Sequence, residues 1–186
     1  MNRIVLFIIG FLLLSCTDEP PLKMTFTDSF GAPISLNSSI AENKGAVLLF
    51  LSPECPLCQN YSVVINEAKN TFSQKGISFI GIVSGDYYTT DEVNRYKAKY
   101  DIEFDILFDQ DFKIAEFYHA TTTPEAVLIN QEGKLMYRGA IDNWAISLGK
   151  KRLEATDHYL KDALESFLSG NEIHPKITKP VGCFIE

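Results

Sequence analysis

The sequence predicts an α/β fold: a mainly parallel central sheet with helices on both faces and an antiparallel hairpin near its C-terminal end. Three observations carry this. Candidate strands and helices alternate along the chain, the pattern of a covered parallel sheet. Two strand-length runs, Ala46–Leu51 and Ile77–Val83, are apolar at every or nearly every position, as strands buried on both faces require. Later, Ala126–Ile129 and Lys134–Gly139 flank Asn130-Gln131-Glu132-Gly133, which reads as a hairpin with a Gly-containing turn.

The elements follow in order. Met24–Ile34, with Gly31 and Pro33, suggests a short entry hairpin. After Ala46–Leu51, Pro53 stops the strand. Pro56–Lys75 then carries Val63, Val64, Ile65, Ala68 and Phe72 at mostly helical spacing, and Gly76 supplies the stop. Thr89 and Glu92 form a capping-box pair opening a helix to about Tyr100. Phe104–Phe108 reads as a strand, and Asp111 is placed to cap a short helix through Tyr118. Residues 141–152 look irregular. Ala155–Leu168 is amphipathic and Gly170 ends it. Residues 171–186 show no periodicity, so the expected division is 1–15 leader, 16–22 tether, 23–170 folded domain and 171–186 tail.

The chain has 186 residues, 46% of them apolar and 22% charged, with net charge −7. That is ordinary for a globular domain, and it lacks the basic footprint of nucleic-acid binding. The N-terminus differs. Met1-Asn2-Arg3 is followed by the apolar run Ile4–Leu14, too short to span comfortably as a mature transmembrane helix. It has the form of a secretory leader. Its end, Leu13-Leu14-Ser15-Cys16, resembles the bacterial lipoprotein signal. That resemblance implies lipidation of Cys16, anchoring to a lipid bilayer, and a location in the cell envelope outside the cytoplasm.

Of the four cysteines, Cys55, Cys58 and Cys183 then remain as thiols. Cys55-Pro56-Leu57-Cys58 is a CxxC placed between a buried strand and a helix. Three readings compete. Zinc needs about four ligands, and His119, His158, His174 and Cys183 repeat no ligand spacing. A structural disulfide closing so short a loop constrains little of the unfolded chain. A redox pair explains the placement: a helix N-terminus offers unpaired N–H groups and a positive dipole end, both of which stabilise a thiolate. Pro56 suits the first helical position because it has no N–H to satisfy. Cys55 is therefore the attacking thiol and Cys58 the resolving one. No metal and no bound cofactor is called for.

CPLC after a buried strand, Thr123-Pro124 before the hairpin and NQEGKLMYRG within it resemble the thioredoxin-like redoxin family. That group includes the membrane-tethered TlpA/ResA-type oxidoreductases and the peroxiredoxin-like AhpC/TSA-related proteins. The resemblance implies a thioredoxin-like fold, a Cys55–Cys58 redox disulfide, and a cis Pro124 packed against the sulfurs. It also implies exchange with protein thiols or disulfides and with an upstream redox partner. A further likeness of Tyr137–Asn143 and Thr178–Cys183 to a peroxiredoxin-like subgroup ending in Gly-Cys makes Cys183 a candidate third thiol.

Departures from the family are informative. The strand before the motif holds no carboxylate. The nearest acids are Glu54 and Glu125, read either as proton carriers or as solvated rim residues. A peroxiredoxin surrounds its reactive cysteine with a proline, a Thr/Ser and an arginine. Ser52 fits the second place, Leu48 occupies the first, and the third falls at Thr123-Pro124-Glu125, so that Arg138 is a substitute only if it points into the site. The leading expectation is a membrane-anchored thiol–disulfide oxidoreductase. The alternatives are a peroxiredoxin-like thiol peroxidase and a non-enzymatic binding or metal-delivery lipoprotein.

Overall fold

The structure, a computed structural model, describes residues 19–186. The leader and Cys16 lie outside the described residues. No helix among these residues is long and apolar enough to cross a membrane.

The strands of the main sheet are β1 (Thr25–Asp28), β2 (Pro33–Ser35), β3 (Gly45–Phe50), β4 (Ile77–Ser84), β5 (Asp105–Asp109), β7 (Glu125–Asn130) and β8 (Leu135–Gly139). A two-residue strand, β6 (Thr122–Thr123), precedes β7 and lies outside this sheet. The order is β2-β1-β5-β4-β3-β7-β8. Only β5-β4-β3 is parallel; the entry hairpin joins β5 antiparallel, and β7 joins β3 antiparallel. The sheet is therefore mixed, a parallel centre extended on both sides.

The unbroken apolar run of β3 has a simple cause. Val47 and Leu49 face one core, shared with helix α2 (Pro56–Phe72), α3 (Thr90–Lys99) and α5 (Tyr159–Ser169). Ala46, Leu48 and Phe50 face a second core, shared with α1 (Leu36–Ile40) and α4 (Lys113–Tyr118). Both faces are dry, so alternation is lost. Leu22, assigned from sequence to the tether, packs against the second core.

Local chemistry sets the helix ends. The Thr89/Glu92 capping box forms as expected: Glu92 N–H donates to Thr89 Oγ1, and Thr89 N–H to Glu92 Oε2. Asp111, in contrast, does not cap α4. It pairs with the exposed Lys113 ammonium. Asp109, buried at the end of β5, accepts from Ile114 and Ala115 N–H instead. Burial pushes its carboxyl upward against those hydrogen bonds. Helix α5 starts later than its periodicity suggests. The Asn143 side chain accepts from Thr156 and Asp157 N–H, which holds that stretch as a brace rather than a first turn. The segment read as irregular contains a small hairpin, β9 (Ala145–Ser147) with β10 (Lys150–Lys151).

The C-terminal segment is stitched onto the body. Arg138 N–H donates to Lys176 O, and Thr178 N–H donates to Arg138 O. Gly139 makes this approach possible. Its φ is +141, and a Cβ there would lie 2.3 Å from Thr178 O. The chain then runs to β11 (Cys183–Phe184), antiparallel to β6.

Candidate active site

Cys55 is the N-cap of α2, with Pro56 in the first turn and no acidic residue beside it there. A turn, Cys55 N–H to Ser52 O at 3.1 Å, delivers the chain from β3 into the helix. Cys58 lies one turn on, and both cysteines join the first core. Cys55 is 2% exposed and Cys58 fully buried. All three described cysteines are free thiols.

The Thr123–Pro124 bond is cis, as the resemblance implies. Thr123 O lies 3.2 Å from Cys55 Sγ, placed to accept from it when protonated. Cys183 Sγ lies 2.7 Å from Cys55 Sγ, positioned to donate. The strand pair sets this contact: Cys183 stands opposite Thr123. Gly182 is needed for it, because a Cβ there would fall 1.9 Å from Thr123 O.

These contacts divide the three sulfurs electrostatically. The Cys58 thiol donates to Cys55 and, together with Cys183, outweighs desolvation to lower Cys55 to about 4. Burial pushes the Cys58 thiol well up, and donation to Cys55 adds to this. Burial, then the same donation, raises Cys183 to about 11. At neutral pH one anionic sulfur sits between two neutral thiols, the state suited to nucleophilic attack.

The remaining expected residues have other roles. Ser52 Oγ pairs with Tyr88 OH at 2.8 Å, and Ser52 N–H points to Cys58 Sγ at 3.4 Å, so its hydroxyl does not serve Cys55. Glu54 is exposed. Glu125 is no rim residue: it is 2% exposed, on the sheet face of Val127, opposite the sulfurs. It accepts from Thr121 and Thr122 N–H at 2.9 and 3.2 Å, clamping the loop that carries Thr123-Pro124. Burial raises its pKa, with those N–H groups and Arg138 acting the other way. Arg138 stands opposite Val127 on that same face. It donates to Tyr118 O and His119 O, and its Nε is 3.8 Å from Glu125. It does not point to the sulfurs, so Arg138 does not stand in for the peroxide-polarising arginine.

Sequence reasoning missed Tyr61 and Asp142. Tyr61, one turn beyond Cys58, donates to Asp142 Oδ1 at 2.6 Å and packs edge-on against Trp144. Its spacing from Cys58 on the helix was the available signal; Asp142 lay in the Tyr137–Asn143 likeness but in a stretch without periodicity, so no role was read for it. Among the described residues no cluster of His, Cys, Asp or Glu is arranged to hold a metal ion.

The AhpC/TSA family model matches residues 18–138. The chain belongs to the AhpC/TSA family. The match covers the CPLC motif, Thr123-Pro124 and both hairpin strands through Arg138, and stops before α5 and Cys183. Among curated proteins, this AhpC/TSA chain is 24% identical over 118 residues to the thiol-disulfide oxidoreductase ResA of Halalkalibacterium halodurans, covering 63% of this chain and 65% of that one. The ResA of Bacillus cereus is 25% identical over 135 residues, 73% and 71% of the two chains. Among solved structures, an uncharacterized conserved protein of Geobacillus kaustophilus superposes with TM-score 0.79 at 22% identity, covering 90% of each chain. A hypothetical protein of Sinorhizobium meliloti gives 0.77 at 22%, covering 90% and 92%. A secreted Mycobacterium tuberculosis disulfide oxidoreductase homologous to E. coli DsbE gives 0.55 at 22%, covering 81% and 97%. The fold is thioredoxin-like.

Proposed function

We propose that this protein is a thiol–disulfide oxidoreductase acting on protein disulfides or thiols. The observation that carries the reading is the pairing of a low-pKa Cys55 at the start of α2 with a buried, protonated Cys58 one turn on. The names of the ResA relatives support it. In the reducing direction the Cys55 thiolate attacks one sulfur of a substrate disulfide, and the other leaves as a thiolate. Cys58 then attacks Cys55 Sγ, its proton passing to the departing substrate sulfur. The substrate gains two electrons, and the protein is left with a Cys55–Cys58 disulfide. An upstream thiol partner restores the dithiol. Pro124 and Thr123 shape the entrance to Cys55.

The leader and Cys16 support a further part of the reading. The protein is held at a bilayer by lipid on Cys16, with the folded body, including the C-terminal segment that carries Cys183, outside the cytoplasm. Metabolic labelling with a radiolabelled fatty acid tests the anchor, and Cys16→Ala should lose the label. Reduction of insulin disulfides by the full chain, with a thiol donor, tests the activity. Wild type should turn over and Cys55→Ser should not. Equal turnover by both would overturn the proposal.

A further inference from the structure

Cys55 is nearly buried, and the space beside its sulfur is taken. Thr123 O lies on one side and Cys183 Sγ on another, at 3.2 and 2.7 Å. With β11 in place Cys55 is the less accessible of the two sulfurs to an approaching thiol, and Cys183 the more accessible. Cys183 is different: it is only half-buried, and its neighbour Phe184 is 78% exposed. The segment is also specifically built to hold this position. β11 pairs with β6, Ile185 N–H donates to Thr121 O, and Gly182 allows the backbone to pass Thr123.

We propose that Cys183 is a relay thiol, passing the disulfide between the buried Cys55 and thiols in solution. This rests on the oxidoreductase reading above and adds a third sulfur to it. Starting from the Cys55–Cys58 disulfide, Cys183 attacks Cys55 Sγ. Cys58 leaves and takes the Cys183 proton, so the disulfide moves to Cys55–Cys183 with no net change in electrons. An external thiol then attacks Cys183 Sγ and Cys55 leaves as a thiolate. Cys55 is the better leaving group of the two, since a lower-pKa thiol departs faster. A second external thiol releases Cys183 as a thiol. Two external thiols become one disulfide, the protein gains two electrons, and one proton goes to solvent. The same steps reversed reduce an external disulfide.

The full-length Cys58→Ser variant, oxidised with one equivalent of glutathione disulfide and alkylated in acid, should yield a Cys55–Cys183 linked peptide. One equivalent of glutathione added to that oxidised form should then label the half-buried Cys183 in preference to the buried Cys55 by about tenfold or more, following their difference in access. Glutathione found mainly on Cys55, or an alkylated Cys183 with no linked peptide, would overturn the relay. The wild-type chain gives a second readout independent of that variant's folding. Across glutathione buffers, a Cys55–Cys183 peptide should appear beside Cys55–Cys58, and its absence at every ratio would also overturn the relay. Cys183→Ser should still form Cys55–Cys58; loss of that disulfide as well would strike the oxidoreductase reading itself.

Discussion

The Thr123 carbonyl oxygen lies 3.2 Å from the Cys55 sulfur, joining the cis-proline loop to the start of α2. A carbonyl oxygen cannot donate, so it favours the thiol. The Cys58 and Cys183 thiols donate and favour the thiolate, and the balance is a lowered Cys55.

A pH profile follows from that balance. With its pKa lowered to about 4, Cys55 is a thiolate at neutral pH and is protonated only as pH falls through that value. The pH midpoint of its iodoacetamide labelling, read by peptide mass, should lie far below the roughly 8.5 of a free cysteine. Cys183→Ala removes one donor and should move the midpoint upward. A midpoint in the ordinary thiol range would contradict the assignment.

Glu125 separates a structural from a proton-carrying role. Glu125→Ala leaves the buried Thr122 N–H and the part-buried Thr121 N–H without their acceptor, which should cost about 1–3 kcal/mol in urea unfolding. Glu125→Gln keeps an acceptor and should retain near wild-type insulin turnover. A folded Glu125→Gln protein with no turnover would make Glu125 the proton carrier.

Tyr61→Phe removes the donor to Asp142 Oδ1, leaving that buried carboxylate with the Trp144 N–H as its other partner. The expected loss is about 1–3 kcal/mol in urea unfolding. Asp142→Asn, which keeps an acceptor, should lose less. Equal stability of Tyr61→Phe and wild type would show that the pair does not brace α2.

Gly182→Val places a side chain against Thr123 O, where no Cβ fits. The expected result is displacement of β11 and faster alkylation of Cys183 in the reduced protein. An unchanged alkylation rate would contradict the tight β6–β11 contact.

Much of this was legible in the residues. Dry strands β3 and β4 read as unbroken apolar runs because helices cover both faces. Cys55, Cys58 and the cis Pro124 followed from local motifs and family resemblance. Glu125 was misjudged because its burial depends on which face of β7 it takes, a matter of register rather than residue type. Asp109 replaced Asp111 at α4 because the chain turns sharply at Phe112, which has a left-handed φ of +56, and brings the buried carboxylate to the helix start. Cys183 as a third thiol came from the family likeness, but its pairing with Thr123 was not readable, since a two-residue strand has no period and its partner lies 60 residues away.

The most direct test of the central claim is covalent trapping. In a Cys58→Ser/Cys183→Ser double variant, both candidate resolving thiols are gone. Mixed with a disulfide-bearing protein such as insulin, it should accumulate a mixed disulfide that peptide mapping assigns to Cys55. Absence of an adduct from the folded variant, or an adduct elsewhere, would contradict Cys55 as the attacking thiol.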